Sequence, residues 1–162
     1  MQIRIDDLRG PEIARLLQAH LENSKKWSPP ESIHTLDLDA LRSPAITFWT
    51  AWDGASLLGC GALKELDPSH GEIKSMHTAQ AHRRRGVAAG LLAHIVAEAR
   101  SRSYRRLSLE TGSMDAFAPA RALYAGFGFV STGPFGDYVP DPHSCFMTLD
   151  LTDGEAGRRH ST

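Results

Sequence analysis

The sequence predicts an α/β protein in which one mixed sheet carries helices on its faces. Segments that alternate apolar and polar residues, as strands do, are interleaved with segments of helical period. Because neither kind is confined to one half of the chain, strands and helices are expected to share one core. The 162 residues are 41% hydrophobic and 23% charged, which suits a single compact domain. We expect that domain over residues 1–151 and a polar C-terminal tail over residues 152–162.

The first half of the chain predicts a strand, two helices and a hairpin. Residues 2–6 alternate like a short strand, and apolar residues recur at helical spacing after Gly10-Pro11. A segment rich in proline and serine at residues 27–34 predicts an extended loop before a short helix over residues 38–41. Two β-rich runs follow, joined at Asp53-Gly54, a dipeptide typical of tight hairpin turns.

The second half predicts strands that alternate with helices. A strand over residues 71–78 is followed by a basic loop with a glycine and then by a helix over residues 87–102. A strand over residues 105–110 and a helix over residues 117–125 come next. Another strand pair closes the domain, and its last member, residues 143–151, is predicted at the edge of the sheet.

Charge and hydropathy exclude several classes of function. The formal net charge of -1 leaves no uniformly basic surface, so a general nucleic-acid binder is disfavoured. Apolar runs are shorter than the roughly 20 residues that cross a bilayer, and the first residues lack the pattern of a signal peptide. We therefore expect a cytoplasmic protein that binds neither nucleic acid nor membrane.

Metal chemistry and thiol chemistry are also disfavoured. His77, His82 and His94 are not spaced like the ligands of a zinc site, so no metal is expected. Cys60 and Cys145 show no paired-ligand spacing and are expected to be reduced packing residues.

The most informative stretch is the basic loop at residues 83–89, which follows a predicted strand and opens a predicted helix. Glycine and small residues let backbone N–H groups approach a ligand at the start of a helix, where a pyrophosphate would be favoured. The loop lacks the Gly-Lys-Ser/Thr ending of an ATP-binding loop and the three spaced glycines of a dinucleotide site. Only Glu98 opposes the arginines of the surrounding region, which are Arg83, Arg84, Arg85, Arg100, Arg102, Arg105 and Arg106.

Two motifs carry a resemblance to a known family. The pattern Arg83-x-x-Gly86-x-Ala88 resembles the acyl-CoA motif of the GNAT superfamily of N-acyltransferases, Gln/Arg-x-x-Gly-x-Gly/Ala. Residues 118–129 resemble the Asn-x-x-Ala-x-x-Leu-Tyr-x-x-x-Gly-Phe motif of the same family at the family spacing. The one departure is Phe117, which takes the asparagine position of that second motif. This departure concerns a side-chain contact to the cosubstrate that the family pattern implies, and not the fold.

The resemblance implies a GNAT-like fold, in which a mostly antiparallel, splayed central sheet is flanked by helices. It implies an enzyme that moves the acetyl group of acetyl-CoA directly to a primary amine of a small molecule or peptide. The strand before the loop would pair with the pantetheine arm through its backbone, and the loop would hold the pyrophosphate. The binding residues that the resemblance implies are Met76, His77, Thr78, Arg83, Arg84, Arg85, Gly86, Val87, Ala88 and Ala89.

Two residues are implied to be catalytic. Glu72 lies eleven residues before Arg83, the spacing of the general base in histone-acetyltransferase-type members of the family. The alternatives are that Glu72 only pairs with Lys74 or an arginine, or that Glu110 or a water molecule serves as the base. Tyr124 matches the family tyrosine that protonates the departing thiolate, and a phenol is protonated at neutral pH.

The acceptor is less well specified by the sequence. Candidate acceptor contacts are Glu110, His34 and Tyr138, the last within a loop rich in proline and aspartate at residues 133–143. The alternative function is a non-catalytic regulatory module of the same fold that binds CoA or another nucleotide. Many members of the family form dimers, so the choice between a monomer and a homodimer is left open.

Overall fold

The computed structural model describes residues 1–27, 38–83 and 85–152. Within them, two single turns of 3-10 helix, Gln80–His82 and Asp115–Phe117, accompany the regular elements. None of the described helices is long and apolar enough to cross a membrane. The regular elements in chain order are β1 (Gln2–Ile5), α1 (Pro11–Trp27), α2 (Leu38–Leu41), β2 (Ile46–Asp53), β3 (Ser56–Asp67), β4 (His70–Thr78), α3 (Val87–Ser101), β5 (Arg106–Gly112), α4 (Ala118–Gly126), β6 (Val130–Thr132) and β7 (Ser144–Asp150).

The strands form one mixed sheet in the order β1-β2-β3-β4-β5-β7-β6. Only the β4–β5 pair is parallel among the ladders described, and the others are antiparallel. The prediction that the last strand lies at the edge is wrong, because β7 is inserted between β5 and β6. The alternation of residues along β7 reports which face each side chain takes but carries no information on how many neighbours the strand has.

The β2–β3 hairpin lies where the sequence predicts it, with a shift of one residue. Asp53 is the last paired residue of β2, opposite Ser56, so Gly54 and Ala55 form the loop. Gly54 takes a positive φ of 57° at the first loop position, a conformation that glycine adopts without a steric penalty.

Each face of the sheet packs on its own apolar cluster. On one face, α3 and α4 cover the inward side chains of the central strands, including Ile73, Leu107 and Leu109. On the other face, α1 and α2 pack against Phe48, Cys60 and other residues of β2 and β3. Side chains alternate between the two faces along a strand, so Glu72 on β4 points to this second face. On β5, Ser108 and Glu110, which follow Leu107 and Leu109, point the same way, beyond the area that α1 covers.

The sheet splits at its centre. β4 and β5 are paired only from His70 to Ile73 on β4. Beyond that point β4 carries an irregularity in its ladder with β3, where Ser75 has a positive φ of 58°. A bulge of this kind bends its strand and redirects the chain. The last residues of β4 therefore turn away from β5 and leave a wedge between the two strands, as the resemblance implies.

Candidate active site

The backbone of β4 forms one wall of the wedge. His77 and Thr78 pair with Cys60 and Gly59 of β3, while the ladder to β5 has already ended. The opposite edge of this stretch therefore faces the wedge. Met76 turns its side chain to the core on the α3 face, where it packs against that cluster. The stretch that holds the predicted pantetheine residues thus borders the wedge on its side away from β3.

The N-terminus of α3 forms the end of the wedge. Gly86 precedes the helix with a φ of 78°, and a Cβ at this position would meet nothing within 4 Å. The N–H groups of the first turn have no partner within the helix and are arranged to receive an anion. The Arg85 guanidinium donates to His82 Nδ1 at 3.3 Å, which keeps positive charge at this end. The predicted Arg84 lies outside the described residues.

Phe117 shapes the wall opposite β4. Its ring packs directly against Gly112, the last residue of β5. A Cβ added to Gly112 would come within 2.2 Å of Phe117 Cδ2. The Arg121 guanidinium braces the same turn by donating to the carbonyl oxygens of Gly112 at 2.7 Å and Met114 at 2.9 Å. An apolar ring thus replaces the polar side chain of the family pattern, and the backbone around it is held by Arg121.

Glu72 is a buried carboxylate with two partners on one oxygen. The residue is only 3% exposed. Its Oε2 accepts a hydrogen bond from the Tyr138 hydroxyl at 2.6 Å and lies 3.5 Å from Lys74 Nζ. The pairing with Lys74 that the sequence offered as an alternative to the base is therefore present. The same contacts place a carboxylate and an amine together on the face of the wedge opposite α3.

Tyr138 is held over Glu72 by an aromatic cluster. Its ring lies 5.1 Å from that of Phe135 and 5.5 Å from that of Phe146, measured between centroids. Burial raises the pKa of the Tyr138 phenol, and the charge of Glu72 and the hydrogen bond between them raise it further. The phenol is therefore a permanent donor to Glu72 in the working range of pH.

Tyr124 approaches the wedge from the α4 side. It is 7% exposed and packs edge-on against Phe129, with 5.9 Å between ring centroids. Burial raises the pKa of its phenol, and the charge of Glu110 on β5 raises it further. The charge of Glu110 also raises the pKa of Tyr138. Glu110 therefore acts on both phenols from the wall of the wedge.

A polar network crosses three strands beside Glu72. His70 Nε2 lies 2.7 Å from Ser108 Oγ, which lies 3.1 Å from Thr148 Oγ1. Thr148 in turn donates to the Leu107 carbonyl at 3.0 Å. Burial, followed by the charge of Arg106, lowers the pKa of His70. The sequence does not predict this network, because its members come from β4, β5 and β7. These strands are neighbours only through the order of strands in the sheet.

A second missed feature is a histidine pair between α1 and β4. His20 Nδ1 and His77 Nδ1 are 3.1 Å apart. Burial lowers the pKa of His20 to about 4 and that of His77 to about 3, and for His77 the charges of His20 and Arg83 add to the effect. A groove of about 690 Å³ adjoins the pair between α1 and the segment that leads to α3, and Arg15, Glu22 and His82 are among its lining residues.

His34 lies outside the described residues. Within residues 1–27, 38–83 and 85–152, no group of three or more His, Cys, Asp or Glu side chains is arranged to hold a metal ion. Cys60 is buried, and burial raises the pKa of its thiol.

Comparisons with known proteins agree with this geometry. The model of the Acetyltransferase (GNAT) family matches residues 12–129. The chain is 58% identical over 151 residues to the uncharacterized N-acetyltransferase YsnE of Bacillus subtilis, covering 93% of this chain and 100% of the relative. It is 48% identical over 151 residues to the uncharacterized N-acetyltransferase YedL of Escherichia coli, covering 93% and 95% of the two chains.

Solved structures share the fold. A GNAT family acetyltransferase from Elizabethkingia anophelis, solved with acetyl-CoA bound, superposes with a TM-score of 0.68 at 20% identity, covering 93% of this chain and 97% of that chain. The named relatives support acetyl transfer and not the non-catalytic module. The family match spans well over half of the sequence and includes both motifs around the wedge. The chain therefore belongs to the GNAT family of acetyltransferases.

Proposed function

We propose that the protein transfers the acetyl group of acetyl-CoA in one step to the primary amine of a small molecule or peptide that carries positive charge. The observation that carries this proposal is the pair of carboxylates, Glu72 and Glu110, at the wedge. Lys74 Nζ lies 3.5 Å from Glu72 Oε2, so this face already holds one ammonium group beside a carboxylate. An ammonium group from an acceptor is therefore attracted to the face of the wedge opposite α3.

The donor side of the site is formed by main-chain groups. The backbone of residues 76–78 pairs with the pantetheine arm as an added strand would, and the N–H groups of residues 84–89 hold the pyrophosphate. Arg83 and Arg85 add positive charge at that end. Phe117 supplies apolar contact where the family pattern has an asparagine. A main-chain N–H near Met76 or His77 polarises the thioester carbonyl.

Glu72 is the proposed general base. The acceptor ammonium must lose a proton before its nitrogen can attack, and a carboxylate on the acceptor face takes that proton directly or through water. The Tyr138 hydroxyl donates to Glu72 Oε2 at 2.6 Å and so fixes the orientation of the carboxylate. Glu110 is the competing carboxylate and is proposed to bind the acceptor.

Tyr124 is the proposed general acid. Tyr124 belongs to α4 and the apolar cluster on the α3 face, whereas Glu72 points to the other face, so the proposed acid and base come from opposite faces of the sheet. The raised pKa of Tyr124 keeps the phenol protonated and able to donate to the departing thiolate. Transfer in one step needs no nucleophilic residue on the protein.

The first test separates binding from turnover. Titration calorimetry with CoA measures the donor site, and release of free thiol from acetyl-CoA measures turnover across a set of cationic and neutral primary amines. We expect Glu72→Gln and Tyr124→Phe to lower kcat about a hundredfold while CoA affinity stays within a few-fold. Glu110→Gln should instead raise the KM of the amine. The proposal fails if CoA does not bind, or if neutral amines are preferred to cationic ones.

A further inference from the structure

Lys74 places the side-chain amine of the chain itself at the position proposed for the acceptor. Its Nζ lies 3.5 Å from Glu72 Oε2, and its side chain is 25% exposed. The ammonium also lies 6.0 Å from the centroid of the Tyr138 ring. Lys74 thus occupies the position, beside the proposed base, that an acceptor amine would have to enter.

The position of Lys74 along β4 brings the amine close to the donor. Lys74 immediately precedes the bulged residue Ser75, and the backbone of Met76 and His77 forms the wall of the wedge. The ladder to β5 ends one residue earlier, at Ile73, so Lys74 lies at the point where the wedge opens. A lysine side chain is long and flexible, and its ammonium can swing from the carboxylate into the wedge.

We propose that Lys74 is a site of self-acetylation, in which this chain uses its own side chain as the acceptor when acetyl-CoA is bound. The inference rests on the proposed function, because it uses the same donor site and the same base. Glu72 takes one proton from the Lys74 ammonium, and Nζ then forms a bond to the acetyl carbon. The bond from that carbon to sulfur breaks. The second proton leaves the new amide nitrogen and ends on the sulfur of CoA.

Acetylation of Lys74 changes the charge of the acceptor face. The amide has no charge, so Glu72 loses its cationic partner and the site becomes more negative. The acetyl group also fills space beside Tyr138. We expect this added bulk to slow the turnover of external amines, and its effect to outweigh the stronger attraction of a more negative face for a cationic amine.

The sequence provides an internal comparison for the test. Lys25, Lys26, Lys64 and Lys74 are the lysines of the chain. Lys64 lies on β3 directly opposite Glu72 in the ladder, on the side of β4 away from the wedge. Acetylation of Lys64 therefore serves as the control: it measures modification of a lysine close to Glu72 but outside the wedge.

The experiment incubates the purified full chain with acetyl-CoA alone and follows tryptic peptides by mass spectrometry. Acetylation of Lys74 blocks cleavage there and yields one acetylated peptide of residues 65–83. We expect this peptide to form at a rate that saturates with acetyl-CoA, is independent of protein concentration and falls when free CoA is added. Acetylation of Lys64 should be at least about tenfold slower.

Variants test the chemistry. Glu72→Gln should slow the acetylation of Lys74 about a hundredfold, because no carboxylate takes the ammonium proton. Lys74→Arg keeps the positive charge and should abolish the peptide, whereas Lys64→Arg should leave its rate unchanged. The competition with free CoA uses the unaltered protein, so the test does not depend on the folding of any variant.

Two results would overturn the inference. One is equal acetylation of Lys64 and Lys74, and the other is a rate that rises linearly with acetyl-CoA and ignores free CoA, as reaction in solution would. Turnover of an external amine without acetylated Lys74 would reject self-acetylation and leave the proposed function intact. Absence of CoA binding by calorimetry would reject the proposed function itself.

Discussion

At the scale of single residues, Glu72 is a buried carboxylate that has a hydrogen-bond donor and an opposite charge beside it. Burying a charge costs free energy unless hydrogen bonds and an opposite charge compensate. Glu72 receives both on one oxygen, from Tyr138 and Lys74. The Tyr138 hydroxyl therefore contributes to the stability of the folded state.

We predict that Tyr138→Phe lowers the free energy of unfolding by about 1.5–3 kcal/mol, the usual contribution of a hydrogen bond to a charged group. Urea denaturation at neutral pH measures the change. Tyr104→Phe is the matched control, because Tyr104 donates to the exposed carboxylate of Glu65 at 2.8 Å and its loss should cost less. Equal losses in the two variants would contradict the argument from burial.

The raised pKa of Tyr124 leads to a prediction about how kcat depends on pH. Because burial and Glu110 raise the pKa of its phenol, the protonated form persists when the pH is raised through the ordinary tyrosine value of about 10. We expect kcat to show no loss from this residue up to pH about 9.5. A loss of kcat between pH 7 and 9 that disappears in Tyr124→Phe would contradict this prediction.

At the scale of elements, the fit of β3 against β4 sets the wall of the wedge. A Cβ on Gly59 would come within 2.7 Å of the His77 carbonyl oxygen, a main-chain atom that cannot move without the strand. A Cβ on Gly61 would come within 2.5 Å of Met76 Sδ, which belongs to a flexible side chain. A side chain at Gly59 would therefore meet the main chain of β4, whereas a side chain at Gly61 would meet a flexible methionine.

We predict that Gly59→Ala weakens the binding of acetyl-CoA and lowers the free energy of unfolding by about 1–3 kcal/mol. Gly61→Ala should cost less and should leave the affinity within about two-fold, because Met76 can adopt another rotamer. Calorimetry and denaturation of both variants provide the measurement. A larger loss of affinity in Gly61→Ala would show that the Met76 side chain, and not the main chain, sets the wall.

The pair formed by His20 on α1 and His77 on β4 leads to a prediction about how the stability of the folded chain depends on pH. His20 and His77 have pKa values of about 4 and 3 in the folded chain, below the ordinary value of 6.5. Below pH 6.5 these two histidines therefore bind more protons in the unfolded chain than in the folded chain. The stabilisation is complete above pH 6.5 and decreases as the pH falls toward the folded values, by up to about 1.4 kcal/mol per pH unit for each histidine.

We expect His20→Leu with His77→Leu to lose less stability than the unaltered protein between pH 7 and pH 5. Urea denaturation at the two pH values gives the difference, and the other titrating groups cancel in the comparison. The explanation fails if the two proteins lose stability in parallel.

At the scale of the whole molecule, the sheet is two halves joined by a short parallel ladder. Only His70–Ile73 and Arg106–Leu109 connect β4 to β5 before the wedge opens. A ligand that fills the wedge contacts both halves, so it stabilises the folded chain over the unfolded one. We predict that acetyl-CoA at 100 times its Kd raises the free energy of unfolding by about 2.7 kcal/mol.

Denaturation with and without acetyl-CoA measures that effect, and amide hydrogen exchange locates it. We expect slower exchange in β4 beyond Ile73 and at the start of α3, with little change in the β1–β2 pair at the far edge. Protection confined to α1 would instead indicate binding in the groove beside His77.

Sequence and structure agree best where the signal is local. The strand alternation, the helix over residues 87–101 and the loop at Gly86 follow from the periods of apolar residues and from backbone freedom at glycine. The place of β7 was predicted wrongly, because period-two alternation is the same for a central strand and an edge strand. The bulge at Ser75 was missed because serine gives no local sign of a positive φ.

The sequence by itself determined the fold class and the family, since these depend on local periodicity and on two motifs at fixed spacing. Only the tertiary structure decided that Tyr138 rests on Glu72 and that His20 meets His77. Those contacts join residues of different strands, loops and helices. They depend on strand order and register, which arise from packing of the whole chain and leave no local pattern.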